Sequence, residues 1–352
     1  MIKKKKNSSL KKILISFAVL AFFSLVGMGV SLYQKIYSPN VIGNEDKRFL
    51  YIPTGTTFSQ LVSIIMENKF VLNTETFRWV AEQMSLPEHI IPGRYEVRPG
   101  MSNFALVKLL RSGKQNPVKI VINKFRTPEE FALFISTKLE IDEKVFIELL
   151  NDEAILAKFG FTPSTVLCCF IPNTYEFYWN TSPEKFMVRM KKEYDLFWNE
   201  NRKQEAAHLG ISVNDVCTLA SILEEETNRN DEKPTIASVY LNRLNKGMLL
   251  QADPTIKYAM GDFTIKRVTG FYIDETKNSP YNTYRKQGLP PGPICTPSVA
   301  SIESVLQPAQ TDYLYFCASV NKPNYHDFAS TYSEHQKNAR LYQQYLNKRG
   351  IH

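Results

Sequence analysis

Val216-Cys217-Thr218-Leu219-Ala220-Ser221-Ile222-Leu223-Glu224-Glu225-Glu226-Thr227 is the stretch around which the rest of the chain is best read. Neither Gly nor Pro interrupts it, and its apolar positions recur at helical spacing, so it predicts one helix over residues 213–228. At about 100° per residue, Val216, Leu219, Ile222 and Leu223 form a single stripe. Glu226 falls near the middle of that stripe, four residues after Ile222 and three after Leu223. Glu224 lands on the opposite face, where it is solvated or meets a Lys or Arg, and Glu225 lies toward the side.

Two readings of Glu226 stay open on this pattern. In one, the helix ends near Asn228 and the carboxylate emerges at the rim or pairs with an arginine. In the other it points where the core residues point, is desolvated, and its pKa rises. A carboxylic acid kept protonated near neutral pH is what general acid catalysis requires.

Downstream, Leu249-Leu250-Gln251-Ala252-Asp253-Pro254-Thr255 predicts a loop, with Asp253 before Pro254 as a turn residue. Ser279-Pro280-Tyr281-Asn282-Thr283-Tyr284 and Gly288-Leu289-Pro290-Pro291-Gly292-Pro293-Ile294 follow. Loops this rich in proline are stiff and hold side chains in place at low entropic cost. Tyr, Asn, Thr and Gln on them suit a neutral, hydroxyl-rich ligand, because aromatic rings cover sugar faces while amides and hydroxyls pair with sugar hydroxyls. No P-loop or dinucleotide fingerprint is present.

Around this region the pattern mixes helices (186–198, 234–244, 332–346) with short strands such as 313–318, without regular βαβ alternation. It predicts an α+β fold. Upstream, a repeat of period 45 matches Gly55, Leu61, Val62, Ile64, Ile65 and Lys69 with Gly100, Leu106, Val107, Leu109, Leu110 and Lys114. Each copy predicts a strand (49–52, 94–97), a Gly turn, an N-cap at Thr57 or Ser102, and an amphipathic helix. A weaker third copy begins at the N-cap Thr127 with Pro128 at N1. Such units resemble LysM-like modules, which bind glycan chains; as a βα scaffold the region would equally serve as a spacer that binds nothing.

Further upstream, 34–47 is polar and contains Pro39, Asn40, Gly43 and Asn44, so it predicts a linker. Residues 13–33 form an uncharged run of 21, enough to cross a hydrocarbon core of about 30 Å as a helix. Lysines 3–6, 11 and 12 precede it, which predicts an uncleaved anchor with a cytoplasmic N-terminus. Those six lysines also account for most of the net charge of +8, leaving +2 for the rest of the chain. That near-neutral remainder argues against a nucleic-acid partner. The five cysteines of the 352 residues include adjacent Cys168 and Cys169, with Cys217, Cys295 and Cys317 elsewhere. Their spacing supports neither a disulfide framework nor zinc, and they read as buried free thiols.

The runs LASILEEET, ASVYLNRL (237–244), LQADPTIKYAMG (250–261), SPYNTY, GLPPGPICTP (288–297) and YLYFCA (313–318), with Pro172-Asn173-Thr174-Tyr175-Glu176 upstream, resemble the endolytic murein transglycosylases of the YceG-like family. Asn173 stands where that family usually has Asp. The resemblance covers roughly 48–345 and implies a basic cytoplasmic tail (1–12), a transmembrane helix (13–33), the linker (34–47), a LysM-like domain (48–122) and a larger α+β catalytic domain (123–345).

The resemblance makes Glu226, just before Thr227 in the Glu-x-Glu-Thr motif, the catalytic acid, and Glu224 the motif's first glutamate. It implies substrate contacts from Glu224, Gln251, Asp253, Asn282, Thr283 and Tyr284, with no metal or organic cofactor. The implied substrate is peptidoglycan glycan strands at the outer face of the cytoplasmic membrane. Cell-wall synthases are the implied partners. Two alternatives remain: an anchored glycan-binding or scaffold protein with a structural Glu226, and a hydrolase of the same bond with Asp253 as second carboxylate. His326, beside Asp327, reads as a strand-end histidine bonded to its neighbours; His89, His208 and His335 read as surface positions, and Trp79, Trp179 and Trp198 as packing residues.

Overall fold

The computed structural model describes residues 7–43, 45 and 47–348. Lys3 to Lys6 of the basic tail, and Asn44 of the expected linker, lie outside the described residues. The chain divides into two compact units, residues 1–118 with 178–180 and residues 119–177 with 181–352. The division falls at Val118, slightly ahead of the boundary expected at 122, because the strand that begins there pairs within the second unit.

The first unit opens with α1 (Asn7–Tyr37), whose apolar run is long enough to cross a membrane. Then follow β1 (Arg48–Ile52), α2 (Phe58–Glu67), α3 (Thr74–Gln83), β2 (Gly93–Val97) and α4 (Asn103–Ser112). The two sequence copies become two strand–turn–helix units. Thr57 and Ser102 each accept from the third backbone amide of their helix, at 3.4 Å from Gln60 N and 3.2 Å from Ala105 N. Gly55 and Gly100 adopt φ of +80° and +82°, a left-handed turn that a side chain would strain. β1 and β2 pair antiparallel, Leu50 opposite Tyr95, and the repeated apolar positions Leu61, Val62, Ile65, Leu106, Val107 and Leu110 fill one core beneath them.

The expected linker differs from what is seen. α1 runs on through Tyr37, and Asn40 and Val41 are buried in the first unit. Backbone bonds from Asn40 N and Val41 N to Met101 O, each 3.0 Å, hold them there. Polar composition does not by itself make a free segment; here the polar groups find backbone partners.

In the second unit, β3 (Val118–Ile122) pairs with β4 (Asn173–Phe177). Between them lie α5 (Pro128–Ser136), α6 (Glu143–Asn151), α7 (Glu153–Ala157) and a 3₁₀ turn at Val166–Cys169. Phe131, Phe146, Phe170, Phe177 and Phe186 stack into a shared core. The rest is α8 (Pro183–Phe197), α9 (Glu200–His208), α10 (Val213–Glu226), α11 (Lys233–Asn245), α12 (Asp253–Met260), α13 (Gly270–Glu275), α14 (Val299–Leu306), the antiparallel pair β5 (Tyr315–Ala318) and β6 (His326–Ala329), and α15 (Tyr332–Lys348).

α10 is the spine. Every residue from Val216 to Leu223 is buried, because α9, α11, α12 and α14 all pack on it. A capping box of Ser212 and Asp215 starts it, and it stops at Glu226, two residues earlier than the sequence predicts, where Thr227 turns to extended backbone at φ −148°. The fold is α+β. None of the five cysteines is paired; four are buried and Cys317 is half-buried.

Candidate active site

The last turn of α10 sends its three acids to three places. Glu225 is met by Lys124 Nζ at 3.1 Å and Arg126 Nε at 3.2 Å. Glu224 accepts from Lys233 Nζ at 3.0 Å and from the hydroxyls of Ser298 and Ser301 at 2.5 Å each. Burial opposes ionisation of Glu224, but the two serine hydroxyls and the Lys233 charge outweigh it and hold its pKa below the ordinary value. Neither cavity beside Glu226 is lined by Glu224. It ties α10 to α11 and α14, so of the two fates its helix face allowed it has the one with a lysine partner.

Glu226 has a single hydrogen-bond partner among the described residues, the Tyr240 hydroxyl, which donates to Oε1 at 2.5 Å. Tyr240 stands on α11 and is itself buried. Burial is the largest influence on Glu226 and raises its pKa. The Tyr240 bond lowers it, the Asp253 charge raises it, Lys257 lowers it and Glu225 raises it, and the net result is about 7 against an ordinary 4.5. Of the two readings left open by the sequence, the desolvated acid is the one found, although the helix does end there and Glu226 is only half-buried.

Glu226 lies between two cavities. One, of about 690 Å³, is lined by Thr227 to Arg229, Ser319, Tyr325 and Tyr342 among others. The second, of about 330 Å³, is lined by Tyr240, Arg243, Gln251, Asp253, Tyr284 and His335. Glu226, Ala318 and His326 border both, so the carboxyl sits where the two hollows meet. Aromatic rings, hydroxyls and amides dominate the lining, a composition suited to sugar.

Asp253 differs from the expected loop residue: it opens α12, with Pro254 in the first turn, and the Tyr284 hydroxyl donates to it. Gln251 precedes it at φ +52°, a left-handed conformation uncommon for a residue with a side chain. Asn282 and Thr283 do not reach the cavities. Asn282 Nδ2 donates to Ile273 O at 2.8 Å and to Thr276 Oγ1 at 3.0 Å. Thr283 Oγ1 accepts from Ala252 N at 3.0 Å, and Thr283 O accepts from Gln251 N at 3.1 Å. Both are fully buried and serve to place Gln251, Asp253 and Tyr284. Motif membership marks both as sugar contacts; their hydrogen bonds place them beneath the loop that carries Gln251, Asp253 and Tyr284.

Among the residues bordering the cavities that the motifs do not mark as contacts are Tyr240, His326 and His335. Tyr240 lies within the quoted run 237–244, but nothing local says that it meets a carboxylate fourteen positions away. His326 is held by Glu232, which accepts from its backbone N at 2.7 Å and pairs with Nδ1 at 2.8 Å. His335, expected at the surface, is half-buried: its ring stacks on Tyr315 at 5.3 Å, and burial, with the Arg243 charge, lowers its pKa. His89 and His208 are exposed as expected. Trp198 is core, while Trp79 and Trp179 are half-buried. Among the described residues, no group of three or more His, Cys, Asp or Glu side chains is placed to hold a metal ion.

An α+β domain with one desolvated glutamic acid at the junction of two sugar-compatible hollows is the framework of a glycan-cleaving enzyme. The chain belongs to the YceG-like family, whose family model matches residues 50–341. It is 31% identical to a protein of Bacillus subtilis (strain 168) named endolytic murein transglycosylase, over 88% of this chain and 89% of that one. A protein of the same name from Streptococcus pneumoniae (strain ATCC BAA-255 / R6) is 26% identical over 94% of this chain and 65% of its own length. The 2.6 Å crystal structure of a yceG-like protein from Listeria monocytogenes superposes with a TM-score of 0.56 at 31% identity, covering 83% of this chain and 98% of that one.

Proposed function

We propose that this protein is an endolytic lytic transglycosylase of peptidoglycan, with Glu226 as its acid and base. The observation that carries the assignment of Glu226 is its pKa of about 7 at the meeting point of the two cavities. The name shared by its relatives supports the reaction. A protonated Glu226 gives its proton to the oxygen of the β-1,4 bond between N-acetylmuramic acid and N-acetylglucosamine, and the C1–O bond breaks. The carboxylate then takes the proton of the muramyl C6 hydroxyl as O6 closes on C1, leaving a 1,6-anhydro end. No water is consumed, and Glu226 ends protonated as it began. One carboxylate suffices because the attacking hydroxyl belongs to the same sugar and has a large effective concentration. Tyr240 holds the carboxyl and stabilises its charged form between the two proton transfers.

Asp253 and Tyr284, with Gln251, contact the sugar within the smaller cavity and position it. A space on either side of the acid supports cutting within a strand, where sugar rings must occupy both sides of the bond. The repeated strand–turn–helix copies support a LysM-like, glycan-binding first unit. α1 supports a single-pass anchor, and lysines at its start favour a cytoplasmic N-terminus and a catalytic unit on the outer face of the cytoplasmic membrane. Wall synthases as partners rest on the family resemblance.

The test is mass spectrometry of products from uncrosslinked glycan strands treated with the full chain or its Glu226→Gln variant. Anhydro-muramyl ends from the wild type alone support the assignment. Reducing ends would make it a hydrolase and move attention to Asp253. Cleavage by Glu226→Gln at the wild-type rate would sink the assignment of Glu226.

A further inference from the structure

The junction between α1 and the first unit contains no hinge. The uncharged run 13–33 spans about 31 Å as a helix, matching the hydrocarbon core. Only Gln34 to Tyr37 of α1 remain beyond it, one turn of about 6 Å, which is roughly the thickness of one headgroup layer. Within that turn the helix is already built into the first unit. Asn103, the first residue of α4 and almost fully buried, donates from Nδ2 to Lys35 O at 2.9 Å. Its Oδ1 accepts from Asn40 Nδ2 at 2.6 Å. Ile36 packs against the core of the unit. The Tyr37 ring lies 5.4 Å from that of Phe104, and Lys35 Nζ lies 5.7 Å from the ring centre of Trp79.

A helix latched in its last turn by a buried asparagine cannot swing freely, and a unit latched one turn above the hydrocarbon has no room to stand away from it. Of the side chains gathered there, Tyr33, Tyr37 and Trp79 are amphipathic aromatic rings and Lys35 is cationic, the types that lie at a membrane–water interface, and Phe104 adds a wholly apolar ring beside them. Trp79 and Phe104 are half-buried, and Tyr33 and Tyr37 exposed.

We propose that the α1-proximal end of the first unit, marked by Trp79 and Phe104, is a lipid-binding surface that sits in the headgroup layer, so that the unit is fixed on the membrane by a continuous helix. The proposal rests on α1 crossing the bilayer, as proposed above. It gives the first unit a second contact besides glycan and places it against the bilayer.

The full chain, reconstituted in vesicles carrying either a headgroup nitroxide or a nitroxide midway along the acyl chain, tests it through tryptophan fluorescence. The headgroup label is expected to quench part of the emission, and that part is expected to vanish in Trp79→Phe. A ten-residue Gly/Ser insertion between Tyr33 and Gln34 is expected to abolish it too, with the anchor intact. Phe22→Trp in α1 reports on the anchor separately, through new emission quenched by the mid-chain label. Quenching of Phe22→Trp without any loss between wild type and Trp79→Phe overturns the surface proposal. Absence of Phe22→Trp quenching overturns the anchor itself, and the surface proposal with it.

Discussion

Glu224 and Glu226 stand two residues apart at the end of one helix and have opposite chemistry. Glu224 is surrounded by donors, one of them the ammonium of Lys233, and is held as a carboxylate. Glu226 has one phenol and a desolvated setting, so it stays protonated toward neutral pH. The backbone treats them alike; the neighbours brought by α11, α12 and α14 separate an anchor from an acid. Neither residue type nor position in a motif assigns a role, since both belong to the same Glu-x-Glu-Thr run.

The sharpest way to break this contrast is to neutralise each acid. Glu226→Gln should lower kcat by about 10²–10⁴-fold, the usual worth of a general acid, with little change in KM. Glu224→Ala should lose roughly 3–5 kcal/mol of stability, because it leaves the buried Lys233 ammonium unpaired. Its kcat per folded molecule should stay near that of the wild type, read by denaturant unfolding alongside turnover. A large loss of kcat at wild-type stability would make Glu224 part of the chemistry and dissolve the distinction.

Stability against pH sharpens the same contrast. Glu226 titrates higher folded, near 7, than unfolded, near 4.5, so its contribution is whole below about pH 4.5 and is lost as pH rises through 7. Glu224, with its folded pKa lowered from 4.5, contributes above that value and loses its contribution as pH falls through the lowered pKa. Glu226→Gln should therefore raise Tm relative to wild type at pH 8 more than at pH 5. Glu224→Gln should lower Tm at pH 7, with the gap narrowing in acid.

Smaller effects come from the partners of Glu226. kcat/KM should fall as pH rises through about 7, where the acid loses its proton. Tyr240→Phe removes a bond that favours the charged form and should move that fall to higher pH. Asp253→Asn removes a charge that disfavours it and should move the fall to lower pH. Shifts in the same direction for both variants would contradict the electrostatic account of the site.

What a single element can encode is legible along the chain. The period of α10 placed Glu226 on the buried face, the repeat of 45 residues set the two strand–turn–helix copies with their caps at Thr57 and Ser102, and the uncharged run set α1. These follow from periodicity and capping, whose causes lie within a few residues of one another. The rest comes from packing between elements: Tyr240 meets Glu226, Glu232 holds His326 from 94 positions away, Asn282 and Thr283 are buried supports, and Asn103 latches α1. Each depends on which elements pack together, and a side chain's solvation and charge are set by neighbours that its own stretch of sequence does not contain.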